Sequence, residues 1–423
     1  MINSFPGYEH IPGPENKGKG RNMYRGIDVG FGGLVYAEPG IYVNVKVFDV
    51  SGMHPASIHA LNAFGEYTDI FDSIVQLRTF IKHKDFDSAK KMMDGKVAKY
   101  LDDENAAKAL SQALKIAVNS CYGLTSASFE TPMTDSRNVN NIVALRGALF
   151  MVNLKEEVQN RGFKVISIKT DSIKVVNPDE NIEKFIIEYG KKYGYNFEVE
   201  NVFERICLIN DSTFIAKCAD DDPDIPNQWY AKAERFQVPY VFKTLFSKEP
   251  LEFKDFCEVK SVKEGDIYLD MNEGLPDVTE EEKQLKKLED KYKKGELSDT
   301  TFEKESIPLV EAIAKGHNYV FVGRVGQFCP IKEGCNGGVM YRYNNGKYYA
   351  VTGTKGYRWL ESEVVRGLGK EDCIDESYYK RLADEAIDKI NEFGDFYHFV
   401  DDAPYDCNLW NKQAEEDLPF PLD

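Results

Sequence analysis

The sequence predicts an α+β fold in which an antiparallel sheet carries long helices. Three observations point there. Short segments rich in Val, Ile and Tyr, such as FKVISI, SIKVV, FEVENVF, RICLI and TFIAK, are bounded by turn residues and read as strands. Long stretches of good helix formers lie between them. A chain of 423 residues, 42% of them hydrophobic, can also bury more than one core, a prior for two to four subdomains.

Residues 1–33 are rich in Gly, Pro and charge and read as an extended lead-in. LVYAEPGIYVNVKVFDV follows, and its alternation around Pro39-Gly40 predicts a hairpin whose second strand ends at Asp49. TDIFDSIVQLRTFIKHKDFDSAKKMMDGKV and DENAAKALSQALKIAVNSCYG predict two antiparallel helices, the second closed by Gly123. A third helix, NNIVALRGALFMVNLKEEVQNR, stops at Gly162, and the strands FKVISI and SIKVV follow across a tight turn. After the helix NIEKFIIEYGKKYG come short strands, then an aromatic segment FQVPYVFKTLF. The charged run TEEEKQLKKLEDKYKKGE reads as a solvated helix laced with i, i+4 pairs. The last segment is strand-rich, with Asn345-Gly346 as a two-residue hairpin turn.

The eight cysteines are scattered, with no CxxC pair to suggest zinc or a redox dithiol, and are expected to be reduced. No run approaches the roughly 20 apolar residues of a membrane-spanning helix, and the opening lacks the apolar core of a signal peptide. A soluble cytoplasmic protein with no membrane partner is the expectation. A formal net charge of −17 argues against coating nucleic acid by bulk electrostatics and leaves room for a local basic groove.

Asp49 in FDVSGMHPASI and Asp171 in SIKTDSIKV each end an apolar strand. Taken singly, each is more often a turn residue than a ligand. If the strand ending at Asp49 pairs beside the hairpin 163–176, the two carboxylates converge on one sheet edge, an arrangement suited to divalent cations. Lys115, Asn119 and Tyr122 are spaced i, i+4, i+7 and share a helix face; Arg78 and Lys82 are i, i+4 on the neighbouring helix. The competing reading of Arg78 and Lys82 is an ordinary solvated face.

FDVSGMHPASI resembles motif A of the family B DNA polymerases, D-x-x-S-L-Y-P-S-I; KIAVNSCYG matches their motif B, K-x-x-x-N-S-x-Y-G; and KTDS resembles the end of motif C, Y-G-D-T-D-S. The order is that of the family. The likeness is close over residues 34–218 and weaker over FQVPYVFKTLF, which resembles the start of the thumb in phage enzymes.

The resemblance implies a right-hand polymerase. Its palm would be 34–60 with 124–227, its two-helix fingers 61–123, a helical thumb 228–315, and a β-rich C-terminal segment and tail 316–423. It implies Asp49 and Asp171 as the catalytic pair holding two Mg²⁺ ions, replaceable by Mn²⁺, with the Val50 carbonyl as a further ligand. Lys115 would contact the triphosphate and protonate the leaving pyrophosphate, while Arg78 and Lys82 clamp its phosphates. Backbone amides of Ser51, Gly52 and Met53 would cradle the triphosphate, and His54, Asn119 and Tyr122 would line the nascent base pair. Gly123, Lys169 and Lys217 would meet DNA. The implied partners are primer–template DNA and dNTPs, in a phage-infected bacterial cell.

The chain departs from the family at four places. His54 stands where motif A has Tyr, the ring that excludes a ribose 2′ hydroxyl; a packed histidine is the bland alternative. Gly52 replaces Ser, and Lys169 replaces an Asp of motif C. Near NDSTFIAK only Phe214 and Lys217 match the basic element that precedes the thumb, with Lys217 as a strand-end residue the alternative. Forty-eight residues precede Asp49, too few for an exonuclease domain of on the order of 100 residues. Two expectations stand side by side: a split enzyme with a separately encoded exonuclease-bearing half, or a fragment of a longer polymerase. A catalytically weak polymerase-like scaffold that binds DNA or such a partner is the competing reading. In GTKGYRWLES, stacking on nucleic acid competes with packing of a small β-rich module on its aromatics.

Overall fold

The structure is a computed structural model and describes residues 4–13, 20–125, 127, 129 and 141–401. It is an α+β chain of helices and antiparallel sheets. Two compact units divide it, Met1–Ala233 with Ile390–Asp423, and Glu234–Lys389.

The first unit opens with a three-stranded sheet, β1 (Glu9–Ile11), β2 (Arg21–Tyr24) and β3 (Ile27–Asp28), in the segment that composition marks as a lead-in. Its Phe5 and Tyr24 enter the main core. The principal sheet contains β4 (Val35–Ala37), β5 (Gly40–Val50), β6 (Lys164–Lys169), β7 (Ser172–Val176), β8 (Phe197–Asn210), β9 (Thr213–Cys218) and β10 (Trp229–Lys232). Its order is β10-β9-β8-β5-β7-β6-β4, and every neighbouring pair is antiparallel.

The α-helices that precede β10 are α1 (Met53–Leu61), α2 (Thr68–Lys82), α3 (Phe86–Lys91), α4 (Glu104–Thr125), α5 (Ile142–Asn160) and α6 (Glu180–Lys192). α5 is buried on all sides from Val143 to Leu154, which is why its apolar pattern shows no polar stripe. At Gly147 it passes so close to Met53 that a Cβ would not fit, which fixes the start of α1 against it.

Four local expectations change. Val35–Ala37 and Gly40–Val50 do not form a hairpin: β4 pairs with β6, whereas β5 lies between β7 and β8. Alternation marks both strands, but partner choice is a long-range matter. α4 runs through Gly123 to Thr125, because one Gly costs a helix about 1 kcal/mol and packing overrides it. The helix expected over residues 68–97 breaks after Lys82, and Asp85 caps α3 by accepting from Ser88 N–H. FEVENVF and RICLI are one long strand, β8, with bulges in both of its ladders.

The second unit has a three-stranded and a four-stranded antiparallel sheet and the helices Thr279–Lys293 and Asp299–Ala314. The charged helix carries pairs such as Lys293–Glu289. The Asn345-Gly346 turn joins two paired strands, with both residues at positive φ, as a type I′ turn requires. Trp359 is fully buried, and its Nε1 donates to Thr354 C=O at 3.3 Å. It is therefore a core residue of this unit, and the aromatic-packing reading of GTKGYRWLES holds for it.

Candidate active site

Asp49 is the penultimate residue of β5 and Asp171 sits in the β6–β7 turn. Register brings them together: Asp49 lies opposite Ser172 on β7, and Val50 N–H donates to Asp171 C=O at 3.0 Å. On its other side Asp49 faces Glu198 of β8.

The turn is strained. Asp171 N–H donates to Lys169 C=O at 2.8 Å, and Thr170 between them has φ 57°, costly for a β-branched residue. Gly33 holds the turn from outside, since a Cβ there would lie 2.5 Å from the Thr170 side chain. Thr170 N–H also donates to Leu34 C=O at 2.8 Å.

Burial, then repulsion by Asp171 and Glu200, pushes the Asp49 carboxyl up to about 7, with Lys82 opposing the shift. Burial also raises Asp171, offset by its own backbone and by Lys232. Half-buried Asp49, Asp171 and Glu198, with the exposed Glu200, are thus an acidic group whose mutual repulsion a divalent cation would relieve. No three His, Cys, Asp or Glu side chains converge on one metal position among the described residues. Two carboxylates and a carbonyl nevertheless suit Mg²⁺, which keeps waters and substrate phosphates as its remaining oxygen ligands.

The helices meet this edge. Lys82, at the end of α2, pairs with Glu198 at 3.1 Å, and His83 Nε2 lies 3.4 Å from the same carboxylate. Arg78, one turn earlier, keeps a buried Nε without a partner. A cleft of about 360 Å³ runs between α1, α2 and the start of β8, and Ser51, Gly52 and Glu198 line it.

Gly52 adopts φ 73°, so a glycine here meets a left-handed turn that the family's Ser would strain. Gly52 and Met53 stand at the α1 N-terminus, where amides have no intrahelical partner. Ser51 N–H, by contrast, is already donated to Asn196 C=O at 2.9 Å. It is not free to cradle a ligand.

His54 stacks on Tyr122 with ring centroids 4.2 Å apart, tying α1 to α4. Burial lowers its pKa, and Nδ1 has no partner. Tyr122 also exchanges hydrogen bonds with Asn141. Lys115, Asn119 and Gly123 are exposed on α4. Among the described residues Lys115 makes no ion pair, so the structure places no carboxylate against it.

Of the two cations expected at DNA, Lys169 lies on the sheet face that bears Asp49 and Lys217 on the other. Lys217 is on the opposite face of β9 from Phe214 and Ala216, with its Nζ 5.7 Å from the Trp229 ring centroid. Lys169 Nζ donates to Ser212 Oγ at 2.7 Å, in the β8–β9 turn. Lys169→Asp should retain activity but shift its dependence on divalent ion and salt, because one cation beside the acids becomes another acid. Abolished incorporation across a full Mg²⁺ titration would refute the placement of this turn.

Motif spacing missed Glu198, Glu200, Lys174, Lys232 and Gly33. Glu198 and Glu200 appear in FEVENVF as polar members of an alternating strand, but only pairing puts them beside Asp49. No signal in the sequence singles out Gly33.

No protein-family model and no curated protein matches this chain. Among solved structures it is similar to the family B DNA polymerase of the hyperthermophilic archaeon Pyrobaculum calidifontis, with 14% identity and a TM-score of 0.36. The match covers 55% of this chain and 36% of that one, so the chain spans about a third of the polymerase's length. No helix among the described residues is long and apolar enough to cross a membrane.

Proposed function

We propose that the chain is a DNA-directed DNA polymerase of the family B type, adding dNTPs to a primer 3′ end. We further infer that it serves phage genome replication in the host cytoplasm, with an exonuclease-bearing chain as a partner. The observation that carries the reading is the pairing of β5 with the β6–β7 turn, which sets Asp49 beside Asp171.

In this reading residues 34–60 and 124–227 act as palm, 61–123 as fingers and 228–315 as thumb. Asp49, Asp171 and the Val50 carbonyl would hold two Mg²⁺ ions, which when bound polarise the 3′ hydroxyl and the α-phosphate. Lys82 exchanges Glu198 for the triphosphate, and Arg78, one turn away, supplies the second cation. The unpartnered Nε of Arg78 supports that role. Amides of Gly52 and Met53 receive phosphate oxygens at the α1 N-terminus. Lys115 donates the proton that leaves with pyrophosphate, and the His54–Tyr122 stack with Asn119 backs the nascent base pair.

Primer extension by the purified protein, with Asp171→Asn as control, tests the assignment. An Asp171→Asn protein that extends primers like the parent would sink it. Lys82→Ala should raise the KM for dNTP about tenfold, as loss of a charge-assisted phosphate contact does. Its stability should change by less than about 1 kcal/mol, because the Glu198 pair is exposed. An unchanged KM would remove Lys82 from the triphosphate site.

Lys169, a cation where the family has an acid, favours a second reading: a scaffold subunit that binds DNA without incorporation, even when an exonuclease-bearing partner is supplied. Incorporation by the pair of chains rules it out.

A further inference from the structure

The sheet face that bears Asp49 carries a second group of polar side chains. Lys174 lies in the middle of β7, between Val47 of β5 and Ser167 of β6. It is only 7% exposed, yet its Nζ makes no ion pair or hydrogen bond among the described residues. Its one contact of note is with the Phe214 ring, 5.2 Å from Nζ to the centroid.

Ser167, 1% exposed, has a buried Oγ without a partner. The sheet curls, so that Ile166 of β6 and Phe214 of β9 share one core although three strands separate them. Lys232 of β10 pairs with Phe214 and so lies on the same face; it is exposed and makes no ion pair among the described residues. Its charge acts on both Asp171 and Lys174.

A lysine so largely withdrawn from water without a hydrogen-bonded counter-ion is costly, and the nearby exposed Lys232 repels it. A contact with one aromatic face compensates only part of that cost. An anion with several oxygens would satisfy Lys174, Lys232 and the Ser167 hydroxyl at once, and a phosphate group has that chemistry. Both lysines also lie within electrostatic reach of the acids, Lys174 of Asp49 and Lys232 of Asp171. A phosphate seated there is next to the reacting centre.

We propose that Lys174, Lys232 and Ser167 form a seat for a phosphodiester of the nucleic-acid strand whose end is presented to Asp49 and Asp171. The identity of that strand as a primer rests on the polymerase reading; the anion seat does not.

The test is anisotropy titration of a fluorescein-labelled primer–template duplex, in EDTA, over a series of salt concentrations. Lys174→Met should weaken binding about tenfold, the loss of one buried charge-assisted contact. Lys232→Ala should weaken it about threefold and lower the salt slope by about one. Asp171→Asn should not weaken it, and millimolar pyrophosphate should not displace the duplex.

Unchanged affinity and salt slope in both lysine variants would overturn the seat. Displacement by pyrophosphate would overturn its assignment to a strand. If Lys174→Met fails to show the parent's thermal transition, Lys232→Ala at the surface and the charge-preserving Lys174→Arg decide: the first must weaken binding and the second must not abolish it. Loss of binding in the lysine variants with a parent protein that does not extend primers would leave the seat standing and remove the polymerase reading. The reverse pattern would remove the seat alone.

Discussion

Asp49→Asn and Asp171→Asn should each lower primer extension by on the order of 10³-fold or more, the scale of losing a ligand that stabilises several kcal/mol of developing charge. The same substitutions should raise thermal stability in the absence of divalent ions. The cause is the acidic crowding at the end of β5. The folded protein holds the Asp49 carboxyl up at about 7, against an ordinary value of 3.8.

Because the folded state binds that proton more tightly than the unfolded chain, stability falls as pH rises from about 4 to about 7 and is level above. The amide of Asp49→Asn has no proton to lose. Its advantage in Tm over the parent should be small near pH 4 and grow to a plateau by about pH 8. Adding Mg²⁺ should raise the Tm of the parent, by linkage to the folded state, and leave Asp49→Asn unmoved. Scanning calorimetry across pH, with and without Mg²⁺, reads these effects without reference to activity. An Asp49→Asn protein less stable than the parent at pH 8 would refute the electrostatic account, and an equal Mg²⁺ response in both proteins would refute Asp49 as a ligand.

Gly33→Val should cut extension by about 10²-fold, the scale of a misplacement of about 1 Å at a reacting centre. It should also destabilise the fold by about 2 kcal/mol through overpacking. The new side chain would enter space filled by Thr170, whose Cα is 2.7 Å from the added Cβ. Thr170 cannot simply rotate away, since it already holds φ 57° and its N–H is bound to Leu34 C=O. The displacement passes to Asp171 and, through Val50 N–H, to the end of β5. Thr170→Gly in the same chain removes the clashing side-chain atoms and suits the positive φ, so it should restore part of both losses. Parent-like activity and Tm in Gly33→Val would show that the turn is not held from that side.

Much of the local chemistry is legible in residue order. Asp49, Asp171 and the Lys115–Asn119–Tyr122 face follow from strand ends and helical spacing alone. Lys82 is legible as a helix-face cation, but its placement against Glu198 is not, because that contact spans sequence from α2 to β8. Lys217 eludes a local reading for a related reason. Alternation says that it faces away from Phe214, but not which face of the sheet carries the acids.

Residue order alone thus sets the elements and their periodicity: strands by alternation, helices by helix formers, and turns by Gly, Asn and Asp. These depend on interactions within a few residues. Long-range packing chose which strand lies beside which. It separated β4 from β5, joined two apparent strands into β8, and put Lys174 and Lys232 on the face of Asp49. Pairing and curl depend on side chains distant in the chain, and a shift of one residue turns every side chain to the other face. The residues of the acidic edge can be read locally; the convergence of their charges cannot.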